Sequence, residues 1–351
     1  MKILFRADAS IYIGSGHIMR CLTLADELKA KGCEIIFICR ELSGNLISLI
    51  EKKNYSVCKL EVADESKAFN WENDADETIN WIEKKSIETD LIVIDHYQLD
   101  SRWESQLRSY TKKIMVIDDL ANRHHDCDFL LDQNYYQNME TRYGGLVSFE
   151  ATKFLGPTFA LLREQFYRER ESLSERNGEV NNILIFMGGG DSFNTTTMAI
   201  KAVQQVEQDI KVNVVIGGAN PYYEEVDALC ATLPNVNLHI QVENMAELMV
   251  QADLAIGAGG ATTWERCYLG LPSITLVFAE NQVKTTMDLA SLGVINFLGW
   301  AHECTVHDIA TSIQTAIDSP SKMKEMSSKS MRLMGDGIRK NSSLVLDILS
   351  L

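Results

Sequence analysis

The chain has little of what marks several common protein classes. It has no run of lysine or arginine, and its 33 basic residues are outnumbered by 49 acidic ones, for a formal charge of −16. A surface of that sign has no general means of holding a nucleic-acid backbone or an anionic membrane. Any anionic ligand must be held locally, by helix N-termini and single basic residues. No apolar run approaches membrane-spanning length, and Arg6 and Asp8 stand too early for the apolar stretch of a signal peptide. The expectation is a cytoplasmic protein with no nucleic-acid or membrane partner and, by default, a monomer. The eight cysteines lack Cys-x-x-Cys spacing and sit in apolar segments, where a reduced thiol packs as a small hydrophobe. The run HHDCD at 124–128 lacks the i, i+3 or i, i+4 spacing of metal ligands, so neither a metal nor another cofactor is expected.

What is present is an alternation. Short apolar runs bounded by turn residues alternate with segments of helical period, the pattern of a parallel sheet covered by helices. In the first half the strand candidates are KILFRA, CEIIFIC, YSVCKL, DLIVID, KIMVID and DFLLD, with helices beginning near His17, Leu42, Ala75, Asp100 and Asn138. In the helix after GSGH, Ile18, Cys21, Leu22, Ala25 and Leu28 form one stripe and Arg20, Asp26 and Lys29 lie off it. The polar segment REQFYRERESLSERNGEV reads as a boundary, after which NILIFM, VNVVIGG, VNLHIQV, LAIGAG and SITLVF restart the pattern. Helices there begin near Thr195, Tyr222, Met245, Thr262 and Gln282. The tail, broken at Ser319-Pro320 and Gly335-Asp336-Gly337, reads as two or three helices. The expected plan is an N-terminal domain over 1–160, a linker over 161–180, a second domain over 181–330 and a terminal helix over 331–351. In such sheets the ligand sits beyond the carboxyl ends of the strands, and a cleft between two of them is the expected site.

The loops narrow the chemistry. In GSGH, Met19 stands where a dinucleotide fingerprint needs a small residue, which argues against NAD or FAD. His17 opens a helix whose positive end favours a neutral imidazole, fit for a general base. Capping or packing explains the residue equally well at this stage. Three further strands end in polar clusters on the same sheet edge: Asp95-His96-Tyr97, Asp118-Asp119 and Asp132-Gln133-Asn134. In the second half FMGGGDSFNTTTM sets Gly189 and Gly190 before a helix start near Asn194, where backbone N–H groups suit a phosphate. It lacks the Gly-Lys-Ser/Thr of a triphosphate-hydrolysing loop. GAGGATTWE places Gly260, Thr262 and Glu265 at a helix start, a carboxylate suited to two sugar hydroxyls or to plain capping.

Two sets of motifs resemble known families. GGATTWE, with VENMAELMVQADLAI before it and GLPSI and ENQ after it, resembles the UDP-sugar-binding domain of the GT-B fold, especially the MurG-like transferases. The opening RADASIYIGSGHIMRCLTLADEL, with IDHY, LLDQN and LGPTFALLREQF, resembles a narrower family, the PseG UDP-sugar hydrolases of pseudaminic acid biosynthesis. The likeness runs from Lys2 to about Gly299. It implies a GT-B fold of two doubly wound Rossmann-like domains facing each other across a cleft. It makes His17 the catalytic base and Glu265 the ligand of the uridine ribose. Tyr97 and Asn134 line the sugar pocket, with Gly16, Arg6 and Asp8 beside them; whether Arg6 and Asp8 bind sugar or orient His17 stays open. Val242 and Met245 flank uracil, and Gly189, Gly190, Asn194, Gly260, Thr262, Asn281 and Gln282 complete the UDP set.

The reaction so implied is metal-independent, inverting hydrolysis of UDP-2,4-diacetamido-2,4,6-trideoxy-β-L-altropyranose to UDP and the free sugar. UDP is a good leaving group, so one base and a set of positive dipoles suffice where glycosidases need two carboxylates. Related sequences of spore-coat polysaccharide clusters leave a glycosyltransferase as one alternative. A non-catalytic nucleotide-sugar binding protein is another.

Overall fold

In the computed structural model, which describes residues 1–62, 68–218, 220–335 and 341–350, strand β1 (Lys2–Ala7) shows how the first sheet is built. Its side chains alternate: Ile3, Phe5 and Ala7 enter one core and Leu4 the other, so both faces of the sheet are covered. The elements that follow are α1 (Gly16–Ala30), β2 (Glu34–Arg40), α2 (Ile47–Lys52), β3 (Ser56–Leu60), α3 (Trp71–Lys85), β4 (Thr89–Asp95), α4 (Ser101–Leu107), β5 (Thr111–Ile117), β6 (Phe129–Asp132) and β7 (Thr152–Leu155). All pair in parallel, in the order β3-β2-β1-β4-β5-β6-β7. The strand order reverses between β1 and β4, where a doubly wound sheet opens a crevice at its carboxyl edge. The register sets Ala7 beside Asp95 at that point.

The second unit repeats the plan. It comprises α5 (Glu164–Glu171), β8 (Asn182–Phe186), α6 (Thr195–Val203), β9 (Lys211–Ile216), α7 (Tyr223–Ala231), β10 (Val236–Ile240), α8 (Met245–Gln251) and β11 (Leu254–Ala258). There follow α9 (Thr262–Tyr268), β12 (Ser273–Val277), α10 (Glu280–Leu292), β13 (Asn296–Trp300), α11 (Val306–Ile317) and α12 (Pro320–Leu333). Its parallel sheet has the order β10-β9-β8-β11-β12-β13, reversing between β8 and β11. The two units span Met1–Leu161 with Arg339–Leu351, and Leu162–Ile338. The last helix, α13 (Asn341–Leu349), therefore belongs to the first unit, where Leu344, Val345 and Ile348 join the core of β1 and α1.

Several elements differ from the sequence reading, each for a physical reason. Strands β7 and β13 lie at sheet edges and are only partly buried, so neither carries a continuous apolar run. No helix forms at Asn138; successive three-residue turns, with Met139, Thr141 and Gly144 each bonding three residues back, carry the chain there. Helix α2 begins five residues after Leu42, beyond a turn in which Asn45 accepts from the Ile47 N–H. Helix α3 starts at Trp71, four residues before Ala75, because Asn70 caps it by accepting from the Asn73 N–H. The segment expected as a linker contains α5, anchored by the buried Phe166 and Tyr167, the latter edge-on to Tyr268 at 5.4 Å. Ser319-Pro320 does open a helix, whereas Asp336 and Gly337 of the second expected break lie outside the described residues. Among the described residues no helix is long and apolar enough to cross a membrane.

The seat of α13 gives a direct test. Leu344 has no exposed surface whereas Leu346, on the same helix, is 62% exposed. Replacing Leu344 with Ala should destabilise the first unit by about 3 kcal/mol. Leu346→Ala should cost less than about 0.5 kcal/mol. Thermal or urea unfolding of the two variants checks the difference.

Candidate active site

In the first unit the site is organised by Asp95, the last residue of β4. Its carboxylate is fully buried and is met by His17 and Arg20 of α1, with Cys21 Sγ at 3.7 Å from Oδ2. His17 Nδ1 lies 2.5 Å from Oδ1, Arg20 donates from Nε to Oδ2 at 2.5 Å, and Arg20 Nη2 donates to Oδ1 at 2.6 Å. These contacts follow from helical spacing, since residues 17 and 20 share a face of α1. Burial pushes the Asp95 carboxyl upward, but the Arg20 guanidinium and then His17 outweigh it and hold the group well below the usual carboxylate range. An ionised carboxylate only accepts, so at 2.5 Å His17 Nδ1 must carry the proton it shares. In the neutral imidazole, Nε2 then carries the lone pair, the arrangement a general base requires.

Arg20 corrects the simple stripe reading of α1. It is only 9% exposed because it reaches past Asp95 to Asp119, where Nη1 donates to Oδ2 at 3.0 Å. The chain of contacts thus crosses from β4 to the end of β5. It continues to the end of β6: Tyr136 donates to the Asp119 carbonyl at 3.0 Å, and Arg142 bonds that carbonyl and pairs with Asp132. Burial, reinforced by Asp119 and Asp118 against the opposing pull of Arg142, pushes the Asp132 carboxyl up to about 7. Asn134 follows it, half-buried, its backbone N–H donating to Asp132 Oδ1 at 3.0 Å. Tyr97 stands edge-on to His17, ring centroids 4.5 Å apart, and burial followed by the charge of Asp119 keeps its hydroxyl protonated.

The same geometry separates His17 from the capping alternative. Ser15 is the N-cap residue of α1 and the imidazole is spent on Asp95, not on the helix end. Gly16 is exposed, and a Cβ built there would meet nothing within 4 Å, so no packing within the protein calls for a glycine beside His17. Gly14, in the same loop, has φ +79°, a conformation that favours glycine.

Arg6 and Asp8 do not join this group. Arg6 has no exposed surface, and its five N–H donors go to Asp74, Asp8 and the Ile38 carbonyl. Asp8 is 2% exposed and also takes the Arg40 N–H and His96 Nε2. A guanidinium so saturated has nothing left for a sugar. The pair ties β1 to α3 and to the end of β4 instead. HHDCD is likewise engaged internally, His125 Nδ1 pairing with buried Glu104 at 2.7 Å.

In the second unit two glycine loops follow β8 and β11, either side of the strand-order reversal, and they differ in one respect. At α6 the buried carboxylate of Asp191 accepts from the N–H groups of Thr195 and Thr196, both at 2.9 Å. The protein's own anion fills that helix end, so the expected phosphate donors near Asn194 are already taken. Asn194 itself turns its amide to Glu225 at 2.9 Å. Gly189 and Gly190 lie upstream of this cap, after Gly188 with φ +90°.

At α9 the N-cap residue is Ala261, whose side chain cannot cap the helix start. Gly259 is required by packing, because a Cβ would come within 2.6 Å of Thr286 Oγ1. A Cβ at Gly260 would find Gln282 Nε2 at 3.8 Å, and Gln282 Oε1 accepts from the Phe278 N–H at 2.9 Å. Asn281 precedes Gln282 on the exposed start of α10. Thr262 Oγ1 takes a bond from Arg266 at 3.3 Å. Arg266 is 2% exposed and donates to the Ala258 carbonyl and Thr263. No carboxylate among the described residues pairs with it, and burial draws its pKa down to about 10.

Glu265 is held by Arg163, which donates to Oε1 from Nε at 3.1 Å and from Nη2 at 2.9 Å. Its Oε2 is buried and has no hydrogen-bond partner among the described residues. Met245 is buried at the start of α8 and Val242 is half-buried just before it. Gln165 accepts from the Ala246 N–H at 3.1 Å, so the start of α5 touches both α8 and α9. The motifs thus place Gly260, Thr262, Glu265 and Gln282 together at one sheet edge. They do not reveal Asp95, Arg20, Asp119 or Arg163 as partners; LGPTFALLREQF contains Arg163, but 102 positions separate it from Glu265.

Comparison with known proteins fits this geometry. Residues 183–341 match the family model of the glycosyltransferase family 28 C-terminal domain. The chain is 31% identical over 294 residues to the UDP-2,4-diacetamido-2,4,6-trideoxy-β-L-altropyranose hydrolase of Campylobacter jejuni, covering 84% of this chain and 97% of that one. It is 27% identical over 290 residues to an uncharacterized protein of Methanocaldococcus jannaschii, covering 80% of this chain but only 57% of that relative's length. Spore coat polysaccharide biosynthesis protein SpsG of Bacillus subtilis is 26% identical over 296 residues, 84% of this chain and 82% of its own. Among solved structures, MurG of Acinetobacter baumannii superposes with a TM-score of 0.67 at 15% identity, covering 100% of this chain and 99% of that one. The spinosyn rhamnosyltransferase SpnG gives 0.70 at 14% identity, with 99% and 100% covered. The fold is GT-B, and the chain belongs to the PseG family, that of the UDP-2,4-diacetamido-2,4,6-trideoxy-β-L-altropyranose hydrolases.

Proposed function

We propose that this chain hydrolyses a UDP-linked 2,4-diacetamido-2,4,6-trideoxy-β-L-altrose, and that His17 is the base. The observation that carries the reading is the His17–Asp95 contact of 2.5 Å, which frees Nε2 to take a proton. Water attacks the anomeric carbon as its proton passes to Nε2. The bond from that carbon to the diphosphate oxygen breaks, UDP departs, and the free sugar carries inverted configuration. Asp95 keeps the imidazole in the required tautomer and stabilises the imidazolium that forms. Tyr97 and Asn134 belong to the sugar pocket.

The second unit is assigned the nucleotide. Glu265 takes the ribose hydroxyls, the uncapped α9 start with Gly260 and Thr262 takes phosphate, and Val242 and Met245 flank the base. Gln282 and Asn281 complete the set. The buried guanidinium of Arg266, lacking a carboxylate partner among the described residues, leaves positive charge under this loop, which favours a diphosphate. Gly189 and Gly190 take part through backbone N–H groups, whereas Asn194, whose N–H and amide go to Asp191 and Glu225, is left out of the nucleotide set.

A second reading is supported by the names of the matched transferases and of the family model. In it the same base deprotonates an acceptor hydroxyl in place of water. NMR of the protein with the UDP-sugar, in water without acceptor and with chelator, separates the two. Release of UDP with the inverted sugar anomer appearing first is the expected outcome; a sugar that binds and stays intact would favour transfer.

Substitution separates the roles of the residues. His17→Asn should lower turnover at least about 10²-fold, as loss of a general base does. Asp95→Asn should cost roughly 10²–10⁴-fold by allowing the wrong tautomer. Neither should change UDP affinity by more than about twofold in calorimetry, given that general-base loss acts on the chemical step. Glu265→Ala should instead weaken UDP, and unchanged affinity in that variant would refute its assignment to the ribose.

A further inference from the structure

The Arg163–Glu265 pair lies outside the motifs' assigned roles, and its geometry is lopsided. Both guanidinium contacts, from Nε and Nη2, converge on Oε1. Oε2 is buried and receives none among the described residues. A carboxylate oxygen offers two lone pairs, so Oε1 is saturated while Oε2 keeps its full accepting capacity. Leaving a buried acceptor without a partner costs about 1–3 kcal/mol, which a ligand hydroxyl would recover.

We propose that Arg163 is a positioning residue for nucleotide recognition: it clamps one oxygen of Glu265 so that the other, Oε2, faces the ribose hydroxyls as a fixed acceptor. The inference rests on the assignment of Glu265 to the ribose and adds the residue through which that carboxylate is oriented. Two further observations support it. Arg163 is itself held, its guanidinium 5.2 Å from the ring of buried Phe166. Two residues on, Gln165 accepts from the N–H of Ala246 in the first turn of α8, beside Met245. The start of α5 therefore braces the carboxylate assigned to ribose and the helix assigned to uracil together. Without Arg163 a mostly buried carboxylate loses its cation, and rotation toward water becomes its cheapest escape.

The test compares UDP with 2′,3′-dideoxy-UDP by calorimetry, in wild type, Arg163→Met, Glu265→Ala and the double variant. Wild type should prefer UDP by roughly tenfold or more, the loss expected when a charge-assisted hydrogen bond is removed. Arg163→Met should abolish most of that preference while leaving affinity for the dideoxy compound nearly unchanged. In the Glu265→Ala background the same change should have no further effect, because the residue acts through Glu265. Arg163→Lys, which keeps the charge but not the fork, should give an intermediate preference and covers the case in which the Met variant does not fold. Equal loss of both ligands in either Arg163 variant, or additive losses in the double variant, would overturn the proposal. A wild-type chain that binds no UDP would overturn the nucleotide assignment itself, and is recognised because it needs no substitution.

Discussion

One buried carboxylate governs the first unit. Asp95 has no exposed surface, and an ionised group in that position is tolerated only with partners of opposite charge. Arg20 supplies the charge through two donors, and His17 is drawn into the same cluster by helical spacing. Removing Arg20 would leave the buried Asp95 without its guanidinium, at a cost of about 3–5 kcal/mol. The pairing that stabilises the sheet edge is thus the pairing that orients the imidazole. A neutral histidine held on one nitrogen by an anion is committed to one tautomer, with the other nitrogen left as the acceptor.

A second, separate network in the same unit shows that charge alone does not identify a site. Arg6, Asp8 and Asp74 form buried pairs of similar quality, extended by the half-buried Arg40. Every donor of Arg6 is used, however, and no atom is left over. The His17 cluster differs in that the contacts of the imidazole all fall on Nδ1, and no hydrogen bond reaches Nε2 among the described residues. Comparable geometry serves packing in one case and is open to catalysis in the other, and the difference is the unfilled valence.

The second unit applies the same distinction to helix ends. The start of α6 carries its own anion, Asp191, which accepts from two N–H groups. The start of α9 has an alanine at its N-cap and sits over the Arg266 guanidinium, which forms no ion pair with a carboxylate among the described residues. The two glycine-rich loops therefore differ in what the protein itself places at the helix start: a carboxyl group at α6 and an alanine at α9. Glu265 beside it has one oxygen filled and one empty.

Much of this was legible in the chain. The alternation of buried runs and helical stripes determines two parallel sheets, because strands covered on both faces must be apolar throughout, and the glycines after β1, β8 and β11 mark where loops cross the carboxyl edge. Edge strands β7 and β13 and helix α5 escaped it, since partial burial leaves no periodic signal and two aromatic anchors are enough to fold a polar segment. His17 and Glu265 were visible as residue types at helix starts. Their partners were not: Asp95 lies 78 positions from His17 and Arg163 lies 102 from Glu265. Local sequence determined which side chains stand at the strand ends, because periodicity acts over a few residues. Only the tertiary structure decided which of them are saturated and which keep a free lone pair, because hydrogen bonds between distant segments form only once the strands are in register.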